Sequence, residues 1–154
     1  MIWSRTYANP FNGYDRAFDT STDASGNVYT VGIEQVSAGN YNALIIKYDS
    51  NGNFMWNRTF NGPSNWADQY SGVIVDSYGS IIAVGYEDCV GQGSNWLVHK
   101  YDSGGTLLWS RTHNGNADTT DRAAEVTVDS FDNVLVAGHE TVTGEGMNWL
   151  VNKY

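Results

Sequence analysis

One spacing limits what this chain can fold into. The same segment occurs three times, 53 residues apart, and the copies superpose without a gap. Trp3, Trp56 and Trp109 open them; Asp23, Asp76 and Asp129 keep the interval, as do Gly32, Gly85 and Gly138. The units are 1–53, 54–106 and 107–154, which together read as one propeller segment. A repeat of roughly 50 residues points to a solenoid or a propeller, because each unit buries its apolar face only against its neighbours.

The content of the unit chooses between them. Helical repeats need apolar residues at a 3.6-residue period over ten or more positions. Instead, short apolar or alternating runs are broken by Asp, Ser, Gly and Asn, the pattern of strands and turns. In the middle copy, strand a is expected over 69–75 and strand b over 81–86. A loop over 87–94 precedes strand c over 96–101, and strand d follows over 106–112. Four short antiparallel strands per unit make one propeller blade. The expected class is all-β, a β-propeller with three four-stranded blade-equivalents.

The tight turns begin with Asp23, Asp49, Asp76, Asp102 and Asp129. A carboxylate there can accept backbone N–H bonds, and Gly or Asn two or three residues on tolerates positive φ. Asp132 stands where the first two a–b turns have Gly26 and Gly79, which predicts an aspartate in the left-handed region. These turns lack the acidic spacing and distal Glu of an EF-hand, so no metal and no cofactor is expected.

The signature W-x-R-T-[YF], then D-x-x-G-x-[VI]-x-x-x-G, then L-[IV]-x-K-Y-D resembles the bacterial and archaeal β-propeller repeat family called SBBP. The residues that carry it are Trp3, Arg5, Thr6, Asp23, Gly26, Gly32, Leu44, Lys47, Tyr48 and Asp49 in the first copy. In the second they are Trp56, Arg58, Thr59, Asp76, Gly79, Gly85, Leu97, Lys100, Tyr101 and Asp102. In the third they are Trp109, Arg111, Thr112, Asp129, Gly138, Leu150, Lys153 and Tyr154. The resemblance spans essentially the whole chain. It implies a large secreted or surface-anchored parent with a binding or scaffolding role, although Met1-Ile2-Trp3 leads straight into a strand with no signal peptide.

Composition removes some function classes. The formal charge is −9, with 8 basic residues against 17 acidic ones. Nucleic-acid binding needs clustered Lys and Arg to neutralise phosphates, and no such cluster is present. No apolar run reaches membrane-spanning length. Cys89 is the single cysteine; it takes a position held by Val36 and Val142, so it reads as a small apolar side chain.

The order of strands raises a closure problem. Ile2–Tyr7 reads as a lone strand d, and the third unit supplies strands a, b and c up to Tyr154. Propellers close with about four to eight blades, and an open arc exposes apolar faces and an unpaired edge. Two copies solve this if the Trp3 strand of one pairs with the Leu150 strand of the other, giving a six-bladed homodimer. A larger ring, or a fragment or engineered piece of a longer propeller, is the alternative.

Three functional classes follow. The first is a non-enzymatic scaffold that self-associates into a ring, with the repeated Trp, Arg, Asp, Gly and Lys residues as its structural signature. Each strand d Trp should pack between blades, with its neighbouring Arg paired to a carboxylate. Glu34, Glu87 and Glu140 should pair with Lys47, Lys100 and Lys153 or with those arginines. The second is a lectin-like propeller that binds carbohydrate or a small ligand through Tyr14, Trp66, Asn95, Trp96, Asn148 and Trp149 near the loops. The third, a hydrolase or lyase, would need unequal paired carboxylates or a histidine constellation. His99, His113 and His139 fall at different repeat positions, so no catalytic residue is expected.

Overall fold

Eleven strands form three separate antiparallel sheets in the computed structural model, which describes Met1–Tyr154. The first sheet holds β1 (Arg16–Thr22), β2 (Val28–Ser37), β3 (Asn40–Tyr48) and β4 (Phe54–Phe60) in sequence order. The second repeats it with β5 (Gln69–Val75), β6 (Ile81–Cys89), β7 (Gly93–Tyr101) and β8 (Leu107–His113). The third has β9 (Arg122–Val128), β10 (Val134–Val142) and β11 (Gly146–Lys153).

Each sheet is a meander. The innermost strands β1, β5 and β9 lie side by side, and each sheet stacks face to face on the next. The arrangement is a propeller-like arc of blades. Two apolar seams hold it. Tyr29, Val31, Ala43 and Ile45 of the first blade meet Tyr70, Val73, Ile81 and Leu97 of the second. Ile82, Val84, Trp96 and Val98 of the second blade meet Ala123, Val134 and Val136 of the third.

The repeated glycines are explained by one local event. The pairing of each inner strand slips between Ala17 and Asp19, between Tyr70 and Gly72, and between Ala123 and Glu125. This bulge pushes a backbone carbonyl under the facing residue of the second strand. A Cβ on Gly32 would lie 1.9 Å from the Arg16 carbonyl oxygen, one on Gly85 1.9 Å from that of Gln69, and one on Gly138 2.1 Å from that of Arg122. Only a residue without a side chain fits.

The turn aspartates act as their position predicts. Asp76 Oδ1 accepts the N–H groups of Tyr78 (3.0 Å) and Ser80 (2.8 Å), and Asp23, Asp49, Asp102 and Asp129 repeat the geometry. The Asn53 amide together with these backbone bonds holds the Asp49 carboxyl below the usual carboxylate range; the backbone bonds do the same at Asp102, and Lys153 foremost, with the Asn133 amide, at Asp129. Asp132 adopts φ 59°. Its side chain also takes the N–H and hydroxyl of Ser77 in the preceding blade.

Three element boundaries differ from the sequence expectation. The ladder continues through Glu87↔Asn95, Asp88↔Ser94 and Cys89↔Gly93, so the expected eight-residue loop shrinks to a tight turn over 90–92. Strand d of the second blade starts at Leu107 rather than Thr106, because the Thr106 carbonyl closes the Asp102 turn by accepting the Asp102 N–H. Ile2–Tyr7 is not a strand: no neighbouring strand supplies its ladder.

Candidate functional site

Side chains of β4 build a latch across the boundary between the first and second blades. Trp56 on β4 donates its indole N–H to the Ser103 carbonyl, and Arg58 Nε donates to the Gly105 carbonyl at 2.8 Å. Both acceptors belong to the c–d turn of the next blade. Period-two alternation puts Trp56 and Arg58 on one face of the strand, and the guanidinium stacks 5.1 Å from the Trp56 ring centroid. The Arg head is therefore satisfied by backbone carbonyls, not by the carboxylate expected from sequence. A turn of consecutive C=O groups is the nearest acceptor, and no acidic side chain reaches it.

The Trp3 segment forms the same latch without being in a sheet. Trp3 donates to the Ser50 carbonyl at 3.3 Å, Arg5 Nε donates to the Gly52 carbonyl, and the Trp3 ring lies 6.0 Å from Tyr48. Trp109 has the matching ring contact, 6.0 Å from Tyr154. Ile2–Tyr7 thus occupies the place of a strand d belonging to a blade in front of the first one. Between this segment and the back of the first blade lies a cleft of about 210 Å³, floored by Ala17, Gly32 and Leu44 and walled by Trp3, Arg5 and Tyr7.

At the other end of the arc the front face of the third blade is open. Ala137, Trp149 and Val151 are exposed there, at positions equivalent to the buried Val84, Trp96 and Val98 of the second blade. Trp149 is 96% exposed whereas Trp96 is 0% exposed. The outer edge of β11 has no partner strand.

The three repeated carboxylates that open the inner strands are taken up by backbone N–H groups. Asp15, Asp68 and Asp121 are staples: one oxygen of each accepts an N–H from the loop before it, on Asn9, Gly62 and Gly115 respectively. The other oxygen accepts one from the b–c hairpin, on Gln35, Asp88 and Thr141. Burial pushes the Asp68 carboxyl up against the pull of those two N–H groups. Glu34 accepts the Tyr7 hydroxyl, and Glu140 lies 2.8 Å from His113 Nε2. Phe60 fills the third equivalent place and offers Glu87 nothing, and burial beside Asp68 raises the Glu87 carboxyl.

The expected Glu–Lys pairs are therefore absent. Lys100 pairs with Asp76 and Lys153 with Asp129, both at 2.7 Å, while Lys47 donates to the Ser103 carbonyl over the Tyr29 ring. Lys100 and Lys153 reach the a–b turn of their own blade and Lys47 the c–d turn of the next one, all away from the loop end where the glutamates sit. His99 is buried with its Nδ1 2.6 Å from the Tyr70 hydroxyl, and burial pushes it down to about 4. Burial and the nearby Glu87 push the Cys89 thiol up, which keeps it protonated. No group of His, Cys, Asp and Glu side chains is arranged to hold a metal.

The lectin-type residues are scattered. Tyr14 and Trp66 are exposed in the loops before β1 and β5. Asn95 and Asn148 donate their amides to Gln92 and Glu145 of their own hairpins. Trp96 presents no ring to solvent; it is packed in the seam, where a Cβ on Gly138 would approach its Cζ3 to 2.9 Å. Sequence alone does not separate Trp96 from Trp149, because each follows Asn at the same repeat position, in β7 and β11; only the blade that covers one of them does.

No family model matches the chain, and no curated protein does. Among solved structures it is similar to a gluconolactonase from Xanthomonas campestris, with 18% identity and a TM-score of 0.49, covering 91% of this chain and 38% of that one. It is also similar to a protein of unknown function from Bacteroides caccae, with 11% identity and a TM-score of 0.41, covering 80% of this chain and 53% of that one. The chain spans less than two thirds of either.

Proposed function

We propose that this chain is a non-enzymatic β-propeller scaffold module that self-associates into a closed ring. The Ile2–Tyr7 segment of one copy adds to the free edge of β11 in the next. The observation that carries this reading is the Trp3 latch, set on the first blade as Trp56 is set on the second, yet belonging to no sheet. The register follows from the pairs Lys47↔Trp56 and Ala43↔Phe60 within the first blade. Transposed by the repeat, it pairs Lys153 with Trp3 and Trp149 with Tyr7 of the other copy.

Two copies give six blades, inside the range of roughly four to eight in which propellers close. Closed cyclic assembly is also how most homo-oligomers satisfy complementary ends. The SBBP resemblance, with its scaffolding roles, agrees with this reading. The deciding experiment is absolute mass by light scattering during size-exclusion chromatography. A mass near twice the 17.0 kDa chain is expected; a monomer across the accessible concentration range would overturn the reading.

A further inference from the structure

The two seams inside the chain match large against small. Across the first seam the front residue is Ala43 and the back residue on the inner strand is Tyr70. Across the second seam the front residue is Trp96 and the back residue is Ala123. These are the same two repeat positions with their sizes exchanged. The exchange is physical, since interiors are packed to constant density and a bulky residue on one side requires a small one facing it. The back of the first blade carries Ala17 at this position, exposed in the cleft beside Gly32. The front of the third blade carries Trp149, also exposed.

We infer that the cleft floored by Ala17 and Gly32 is the socket for Trp149 of a second copy of this chain, so that the closing junction repeats the Trp96–Ala123 seam and not the Ala43–Tyr70 seam. This rests on the self-association reading and adds what selects the partner. The second copy is the occupant because the chain itself contains the template. Trp96 sits over Gly138 and Ala123, and Gly32 and Ala17 are the equivalents of those two residues. The latch residues Trp3 and Arg5 already wall the socket. A tryptophan buries roughly 150–250 Å² and is, with tyrosine and arginine, enriched among interface anchors.

The test is a rescue cycle read by light scattering and analytical ultracentrifugation. Both positions are exposed in the single chain, so neither substitution disturbs its core, and circular dichroism verifies each variant. Trp149→Ala should weaken association about 30-fold or more. Ala17→Tyr, which fills the socket as Tyr70 fills its own seam, should weaken it comparably; Ala17→Phe replaces it if that variant misfolds. The double variant Trp149→Ala/Ala17→Tyr rebuilds the Ala43–Tyr70 pair and should recover most of the loss. If the wild type assembles but the two losses simply add, the socket is wrong while ring closure stands. The socket is equally wrong if either single variant assembles as the wild type does. A monomeric wild type overturns both the socket and the ring.

Discussion

Trp56 reaches out of its own blade to donate its indole N–H to the carbonyl of Ser103, 3.3 Å away and 47 residues further on. Trp3 makes the same bond to Ser50 over the same separation. The outer strand of one blade is therefore held by the turn of the following blade as well as by its own sheet.

Truncating that contact should be costly. Trp56 is half-buried against the first seam, and Trp56→Ala should lower stability by about 3 kcal/mol, in the range of large-to-small aromatic changes. Trp56→Phe keeps most of the packing and should lose about 1 kcal/mol with the hydrogen bond. Urea unfolding at fixed protein concentration measures both; equal stability of wild type and Trp56→Ala would refute the latch.

Two lysine–aspartate pairs occupy equivalent positions in different surroundings. Asp76 is buried beside Lys100, whereas the side chain of Lys153, which reaches Asp129, is exposed. Breaking a buried pair strands the remaining charge, so Asp76→Ala should destabilise by roughly 3 kcal/mol. Asp129→Ala should cost clearly less. Parallel denaturant titrations decide it, and an inverted order would contradict the burial argument.

His99 makes stability depend on pH. Burial holds it at about 4 in the folded chain, below its ordinary 6.5. The unfolded chain thus binds the extra proton first, and stability falls as pH drops from 6.5 toward 4. A shift of this size corresponds to about 3 kcal/mol over that window. Asp68 and Glu87, raised by burial, change stability in the opposite sense, which partly masks the effect in the wild type. Comparing wild type with His99→Phe at each pH isolates the contribution. Their difference in unfolding free energy should change steeply between about pH 6.5 and 4 and be flat above about pH 7.5.

Gly85→Ala places a methyl group 1.9 Å from a backbone oxygen that the bulge fixes in place. It should cost about 3 kcal/mol, at the upper end for overpacking. Gly79→Ala, in an open turn, meets no atom within 4 Å and carries only the strain of φ 78°. A melting temperature lowered far more by the first than by the second is the expected result.

The strands and their turns are legible in the sequence because alternation, Asp-led turns and the repeat all describe local geometry. The inner strand β5 occupies the residues that alternation predicts for it. The extension of β6 and β7 past Tyr86 is not legible, since Glu87, Asp88 and Ser94 look like loop residues, and only their pairing makes them strand. The destination of each charge is hidden too. Arg58 and Lys100 share repeat positions with their counterparts, but whether a carbonyl or a carboxylate receives them depends on how far the turns reach in space. Cross-seam size matching is present in the sequence as Ala43, Trp96 and Trp149 against Tyr70, Ala123 and Ala17. It becomes readable only when the faces that meet are known.

The staples of Asp15, Asp68 and Asp121 have a mechanical consequence. Each ties the entry of its inner strand to the b–c hairpin of its own blade, while the entry loops also bond backward, Asp68 N–H to the Tyr41 carbonyl and Asp121 N–H to the Ser94 carbonyl. The boundary between the first and second blades is thus clamped near both rims, by the Asp68 loop at one and by the Trp56 latch at the other. Two clamps at separate heights resist hinging as a door with two hinge pins resists sagging. Neighbouring blades are left one stiff wedge angle, and a stiff angle fixes how many blades complete a circle.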